Sequence, residues 1–231
     1  MEYVYHGSKT SNLKELTPHE STHGNYVYAT KRKEIAIIMS RCCGGDSIYS
    51  LYINNNDGSI DLIERVPLAF DKMFANSFSL YTLDATNFKD INTGFDEVVS
   101  DNVERVLKEE QYPLLRDVIN ELAEQGLINL YFYPERPQYI PNDDHDLIDQ
   151  LHKYANQLNH QFTHEELYKW IFLHPNLEED IRLIAKEQGI DLSMDYDEIK
   201  YKFIELQNEN PNHQFYIDNG LAINEYFNNK L

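Results

Sequence analysis

The chain has 231 residues and a formal net charge of −19 at pH 7. Hydrophobic residues make up 42% and aromatic residues 13%, so the chain can bury a core and is not a disordered tail. Residues 1–100 hold 9 basic and 13 acidic side chains, whereas residues 101–231 hold 11 and 26. Since a strongly acidic protein is repelled by phosphate backbones, we expect no general binding of nucleic acid.

The two cysteines, Cys42 and Cys43, are adjacent in the sequence. Two neighbouring thiols form neither a disulfide framework nor a zinc pattern, and they favour a reducing compartment. No apolar run reaches the roughly 20 residues that a membrane span needs. The amino end also lacks the basic and apolar regions of a signal peptide. We therefore expect a soluble, cytoplasmic protein that has no membrane partner.

The first hundred residues predict mostly β-structure. Tyr and Val favour the pleated surface, and the predicted strands cover residues 2–6, 25–30, 47–53, 59–66, 77–84 and 95–100. Residues 9–24 are polar and predict a loop. Thr30 is the predicted N-cap of a helix over 31–41, and the polar segment 54–58 predicts the turn of a β-hairpin.

From about Tyr112 the apolar residues follow a helical period, and Gly126 is expected to end the first helix. Residues 127–141 contain three prolines and predict an extended connector. Further helices are predicted over 143–160, 163–173, 177–188, 195–208 and 214–228, with caps at Asn142 or Asp143, Thr163, Asn176 and Ser193. We expect a β-rich domain over 1–110 and an acidic, all-α helical bundle over 111–231.

Three short segments of the first half carry side chains suited to catalysis. The first is Tyr5-His6-Gly7-Ser8, where a strand ends in a His-Gly-Ser break. The second is Tyr26-Val27-Tyr28-Ala29-Thr30, a strand that leads into a helix. The third is Phe95-Asp96-Glu97-Val98-Val99-Ser100, a strand with a carboxylate ahead of apolar residues.

In their order and context these segments resemble the ADP-ribosyltransferase superfamily, in the His-Tyr-Glu branch that includes diphtheria-type toxins and poly(ADP-ribose) polymerases. The resemblance covers about residues 3–100 and leaves the helical half unmatched. It implies an α+β fold in which a split antiparallel β-sheet precedes the helical bundle. It also implies that NAD is the substrate and that ADP-ribose is transferred to an acceptor.

The resemblance implies a role for each motif residue. His6 would hydrogen-bond the adenosine ribose, and Gly7 would let its bare backbone approach the nicotinamide carboxamide. Ser8, the third residue of the motif, is also expected to bind the cofactor. Tyr28 would stack on the nicotinamide ring, and Glu97 would bind the nicotinamide ribose and stabilise the developing positive charge. Two cations, Lys9 and Arg41, are weaker candidates for the pyrophosphate, while Asp96 and Glu64 compete with Glu97 for the acidic role.

Several alternatives stay open. Members of the family that modify arginine carry an acidic residue or Gln two positions before the catalytic Glu, where this chain has Phe95, so arginine is a doubtful acceptor. An RNA 2′-phosphotransferase would need converging arginines, and the first hundred residues offer Arg32, Arg41 and Arg65. A third reading is a catalytically silent module, with the acidic helical half recognising a protein partner. No metal site is expected, since the histidines and carboxylates lack ligand spacing.

Overall fold

The computed structural model describes residues 2–21, 24–41, 45–54, 57–92 and 95–209. Its β-strands are β1 (Tyr3–Ser8), β2 (Glu15–Leu16), β3 (His19–Ser21), β4 (Gly24–Thr30), β5 (Tyr49–Ile53), β6 (Ile60–Glu64), β7 (Phe78–Asp84), β8 (Glu97–Ser100), β9 (Glu104–Tyr112) and β10 (Ile128–Tyr131). Its α-helices are α1 (Lys33–Met39), α2 (Ala69–Met73), α3 (Leu115–Glu124), α4 (Asp146–Gln157), α5 (His164–Leu173), α6 (Glu178–Glu187) and α7 (Tyr196–Glu209). The protein is therefore an α+β protein.

The chain divides into two compact units. The first comprises Met1–Cys42, Tyr52–Asp61 and Asp71–Asn129, and the second comprises Cys43–Leu51, Leu62–Phe70 and Leu130–Leu231. This division differs from a single boundary at residue 110, because two internal segments of the first half belong to the second unit. The domain boundary inferred from the sequence stays a prediction.

The first unit is built on an antiparallel sheet in the order β2-β9-β7-β1-β4-β3, with β8 paired to β4. Strand β1 pairs with β7 along its whole length, from Tyr3 opposite Asp84 to Ser8 opposite Ser79. Its register with β4 contains a single pair, Tyr5 opposite Thr30. The sheet is therefore continuous on one side of β1 and only locally joined on the other.

The core of the first unit lies on one face of this sheet. It is formed by side chains that are at most 7% exposed, namely Val4, Leu16, Val27, Ala29, Tyr81, Leu83 and Val98. Side chains alternate between the two faces of a strand, so Val27 and Ala29 reach this core while the intervening Tyr28 does not. The apolar alternation that predicts β4 is thus the pattern that sends Tyr28 to the opposite face.

Two strand assignments correct the sequence-based predictions. Residues 9–24 form the short strands β2 and β3 rather than only a loop, since they pair with β9 and β4. The nine-residue β9 follows the last predicted strand and was missed, because it mixes charged and apolar residues without regular alternation. Helix α1 begins after Arg32 instead of Thr30, which remains in β4 and whose hydroxyl accepts a hydrogen bond from the Arg32 N–H.

The second unit contains helices α4 to α7, in which α5 packs against α6 and α7. The predicted cap at Thr163 is confirmed, because Thr163 and Glu166 form a reciprocal capping box. The caps predicted at Asn176 and Ser193 are wrong. Helix α6 begins after Leu177, and the carboxylate of Asp195 accepts a hydrogen bond from the Glu198 N–H at the start of α7.

A three-stranded sheet in the order β10-β6-β5 places the two strands of the predicted hairpin side by side. Strand β10, Ile128–Tyr131, lies in the segment predicted to be an extended connector. Its pairing with β6 adds a strand to the half that was expected to be all-α, which corrects that part of the prediction. The helix predicted over 214–228 lies outside the described residues. No α-helix in the described ranges is long and apolar enough to cross a bilayer.

Candidate functional site

The first unit contains a cleft of about 380 Å³, called here the central cleft. It is bounded by β1, β3, β4, α1 and the first residue of β8. Its lining consists of Tyr5, His6, Gly7, His19, Ser21, Tyr28, Ala29, Thr30, Ile35, Ala36, Met39, Phe95 and Glu97. Four residues singled out in the sequence, His6, Gly7, Tyr28 and Glu97, thus lie in one cleft although they come from three strands.

The side chain of His6 ties β1 to β4 beyond their single backbone pair. Its Nδ1 lies 2.7 Å from the carbonyl oxygen of Tyr28. Because a carbonyl oxygen can only accept, Nδ1 must carry the proton and donate it. Burial lowers the pKa of His6, with the nearby His19 adding to the effect, although the hydrogen bond to Tyr28 opposes it. A neutral His6 therefore keeps the lone pair of Nε2 available to a hydroxyl group.

The orientation of the Tyr28 side chain is influenced by contacts with Gly24, His19 and Tyr26. Its hydroxyl donates a hydrogen bond of 2.9 Å to the carbonyl oxygen of Gly24 in the same strand. The ring centroid lies 5.7 Å from that of His19 and 6.1 Å from that of Tyr26, the latter in an edge-on arrangement. These contacts hold an aromatic ring in the wall of the cleft, where it can stack on a flat ligand group.

Glu97 opens strand β8, directly opposite Thr30 in β4. The turn before it is held in place by two hydrogen bonds, from the Thr30 hydroxyl to the Phe95 carbonyl and from the Lys31 N–H to the Asp96 carbonyl. Within the described part of the chain, the Glu97 carboxylate has no hydrogen-bond or ion-pair partner, and no other carboxylate lines the central cleft. The backbone held by these two hydrogen bonds thus presents a carboxylate that no group among the described residues neutralises.

Comparisons of the chain with known protein families, with curated proteins and with solved structures yield no match. No relative therefore supplies a ligand, an activity or a set of functional residues. The function has to be inferred from the side chains of the cleft and from their chemistry.

Gly7 is fixed by close packing against helix α1. A Cβ atom at this position would lie 1.8 Å from the carbonyl oxygen of Ala36 and 2.8 Å from its carbonyl carbon. The missing side chain of Gly7 therefore lets the helix backbone approach β1, in addition to any contact with a ligand. This contact holds α1 against the cleft wall.

Three further residues proposed for ligand binding do not line the central cleft. Ser8 ends β1, and its hydroxyl accepts a hydrogen bond from the Thr10 N–H. Lys9 is exposed just beyond the strand. Arg41 follows α1 and donates a hydrogen bond to the sulfur of Met39. Lysine and arginine are thus missing from the described lining, so an anionic ligand group must find other donors.

The two competing carboxylates also lie elsewhere. Asp96 is exposed in the turn and does not line the cleft. Glu64 belongs to the second unit, where its carboxylate accepts hydrogen bonds from the backbone N–H groups of Phe70 and Tyr133. A buried carboxylate that accepts two backbone donors has a structural role.

His19 is a cleft residue that the sequence reasoning missed. It also lines an adjoining cavity of about 210 Å³, called here the side cavity. The side cavity is lined by His6, Leu13, Glu15, Leu16, Thr17, His19 and Val27. The strand β3 that carries His19 was expected to be loop, and a single histidine in a polar segment gives no local signal of a site.

The second unit buries a charged cluster without a visible ligand role. Arg65 donates hydrogen bonds to Asp144 and Asp146, and Arg136 also binds Asp144.

Ser47, His174 and Asp144 are the residue types of a serine–histidine–aspartate catalytic triad. His174, however, donates from Nε2 to the backbone oxygen of Ser47 and not to its hydroxyl, so the hydrogen bond that activates a serine nucleophile is missing. Among the described residues, no group of three or more His, Cys, Asp or Glu side chains is arranged to hold a metal ion.

Proposed function

We propose that the protein is an NAD-dependent mono-ADP-ribosyltransferase-like enzyme whose active site is the central cleft. The observation that carries this proposal is the presence of His6, Tyr28 and Glu97 in one cleft of about 380 Å³. They lie far apart along the chain, and the pairing of β1 and β8 with β4 brings them together. The volume falls within the range of roughly 300–1,000 Å³ usual for small-molecule sites.

Each side chain has chemistry that suits the reaction. The Nε2 of neutral His6 accepts a hydrogen bond from a ribose hydroxyl, and the ring of Tyr28 stacks on the nicotinamide. The Glu97 carboxylate hydrogen-bonds the nicotinamide ribose and stabilises the positive charge that develops at its anomeric carbon. That carbon loses its bond to nicotinamide, which leaves as a neutral molecule, and gains a bond to the acceptor nucleophile, whose proton is released.

The unneutralised charge of Glu97 is important for this chemistry. A carboxylate that was already paired with Lys or Arg would offer less stabilisation to an oxocarbenium-like transition state, because the cation would oppose the developing charge. The neighbouring lining residues Phe95 and Met39 are apolar and 38% and 41% exposed. Since neither side chain offers an oxygen that could accept a hydrogen bond from a guanidinium group, we do not propose arginine as the acceptor.

The geometry favours this proposal over an RNA 2′-phosphotransferase. Arg32 binds Glu34 and the carbonyl oxygen of Gly58. Arg65 is engaged with Asp144 and Asp146 in the second unit. No arginine lines the central cleft within the described residues, so the converging cations needed for phosphate transfer are missing.

The proposal is tested by measuring NAD binding to the full chain by calorimetry. We expect micromolar affinity in the wild type and a loss of at least 10-fold in Tyr28→Ala. Tyr26→Phe is the control, because Tyr26 does not line the cleft and the substitution keeps its ring edge against Tyr28. A folded wild type that shows no NAD binding would refute the enzyme and leave a catalytically silent module, with the acidic helical half as its binding surface.

A further inference from the structure

The central cleft and the side cavity are adjacent and share two side chains. His6 and His19 line both of them. An extended ligand that occupied both cavities would therefore pass these two histidines. A dinucleotide has this form, since it consists of two nucleosides joined by a diphosphate.

A row of polar side chains runs from one cavity to the other. Thr17 lines the side cavity, His19 lines both, and Ser21 lines the central cleft. His19 and Ser21 lie two residues apart in β3 and therefore on one face of that strand, and Thr17 precedes His19 by two residues. Within the described part of the chain, the polar groups of these three side chains have no hydrogen-bond partner. The row thus offers two hydroxyls and an imidazole to a ligand.

The charges around the row restrict where an anion can bind. Glu15 lines the side cavity and Glu97 lines the central cleft, so each cavity is bordered by an acidic residue. Of the described residues, no Lys or Arg lines either cavity. His6 already donates its Nδ1 proton to the Tyr28 carbonyl, so its remaining nitrogen is an acceptor and is unsuited to a phosphate oxygen. His19 is left as the imidazole that lines both cavities and is able to donate.

We propose that the row formed by Thr17, His19 and Ser21 binds the diphosphate of a dinucleotide that spans both cavities. This inference rests on the proposed function and names the residues that replace the expected lysine and arginine. The imidazole of His19 donates to a phosphate oxygen at the junction of the cavities, and the hydroxyls of Thr17 and Ser21 donate on either side. His19 lines both cavities and so lies nearest their junction, where it should contribute most to diphosphate binding.

The test compares three probes by calorimetry on the full chain. NAD and ADP-ribose both contain the diphosphate, whereas nicotinamide riboside lacks it. The variants are His19→Leu, which removes the donor, and His19→Gln, which keeps an N–H donor. Glu20→Gln is the matched control, because Glu20 is the next residue of β3, is exposed and lines neither cavity.

We expect His19→Leu to weaken NAD and ADP-ribose binding by at least 10-fold, with a smaller loss in His19→Gln and none in Glu20→Gln. Binding of nicotinamide riboside should stay unchanged.

Equal NAD affinity in His19→Leu and the wild type would overturn this inference while leaving the proposed function intact. A loss of nicotinamide riboside affinity as large as the loss of NAD affinity would also overturn it. If the wild type binds ADP-ribose through His19 but not NAD, the row stands and the proposed function fails. Binding of neither nucleotide would refute both.

Discussion

Acidification should destabilise the second unit through His174. This histidine is 2% exposed, and its Nε2 donates to the carbonyl oxygen of Ser47 at 2.7 Å. Burial lowers its pKa from 6.5 to about 4, because the charged imidazole would lose its hydration. The hydrogen bond to Ser47 and then the charge of Asp144 oppose this effect only in part, and Arg65 and Arg136 add to it. In the unfolded chain the same histidine takes up its proton near pH 6.5.

The sign and size of the effect follow from this difference in pKa. The unfolded state binds the extra proton first, so the contribution of His174 to stability is complete above pH 6.5 and is lost as the pH falls toward 4. Each unit of difference between the folded-state and unfolded-state pKa values corresponds to about 1.4 kcal/mol in the free energy of unfolding. The free energy of unfolding should therefore fall by about 3 kcal/mol across this interval through His174 alone.

The assay is urea denaturation at pH 7.5 and pH 4.5, followed by the fluorescence of Trp170. This residue is the chain's single tryptophan, and its ring centroid lies 5.7 Å from that of His174. His174→Gln removes the titrating group but keeps an N–H donor. The carboxylates are the same in both proteins, so their effects on the free energy of unfolding cancel when the two proteins are compared. The wild type should lose more stability than the variant by about 2–3 kcal/mol. Parallel losses in the two proteins would show that His174 is not protected from protonation in the folded state.

Two further predictions concern the first unit. Hydrogen bonds lower the pKa of Glu109 from 4.5 to about 2. The largest contribution comes from the Asn12 N–H, and the others come from Ser79, Gln111 and Tyr81. The stabilisation by Glu109 should be present above pH 4.5 and disappear toward pH 2. Glu109→Gln should therefore lower the melting temperature at pH 7 and have little effect on it at pH 2. An equal change of melting temperature at both pH values would contradict this prediction. Gly7→Ala should cost about 1–3 kcal/mol in denaturant titrations because α1 must move away from the new methyl group. Gly45→Ala is the control, since its Cβ would meet its nearest neighbour at 3.9 Å, and an equal cost for both would refute the packing argument.

Local sequence patterns predict the strands that present the cleft residues. The aromatic and β-branched residues of β1, β4 and β8 favour extended structure, and His6, Tyr28 and Glu97 sit at recognisable points of these strands. Alternation then accounts for the face on which Tyr28 lies. The strands and the face of Tyr28 depend on residues that are close together in the chain, so they can be predicted from the sequence.

Other parts of the site depend on pairing between distant segments. Strand β3 is three residues long, and His19 reaches the cleft because it pairs opposite Tyr26 of β4. Such a register carries no local signal, so this histidine could not be found from spacing. The prediction that Lys9 and Arg41 contact the pyrophosphate depends on their charge, and charge does not specify the direction of a side chain. The charged strand β9 is defined by its partners β7 and β2 for the same reason.

The most direct test of the central claim is the release of nicotinamide from labelled NAD, measured with and without cell lysate as a source of acceptor. The variants are Glu97→Gln, in the cleft, and Asp96→Asn, which makes the same change of charge on the adjacent, exposed residue outside the cleft. We predict a loss of about 100-fold or more in Glu97→Gln, in the range of a catalytic group that acts on the transition state, and near wild-type release in Asp96→Asn. Background release from the folded wild type, or equal release from wild type and Glu97→Gln, would contradict the account.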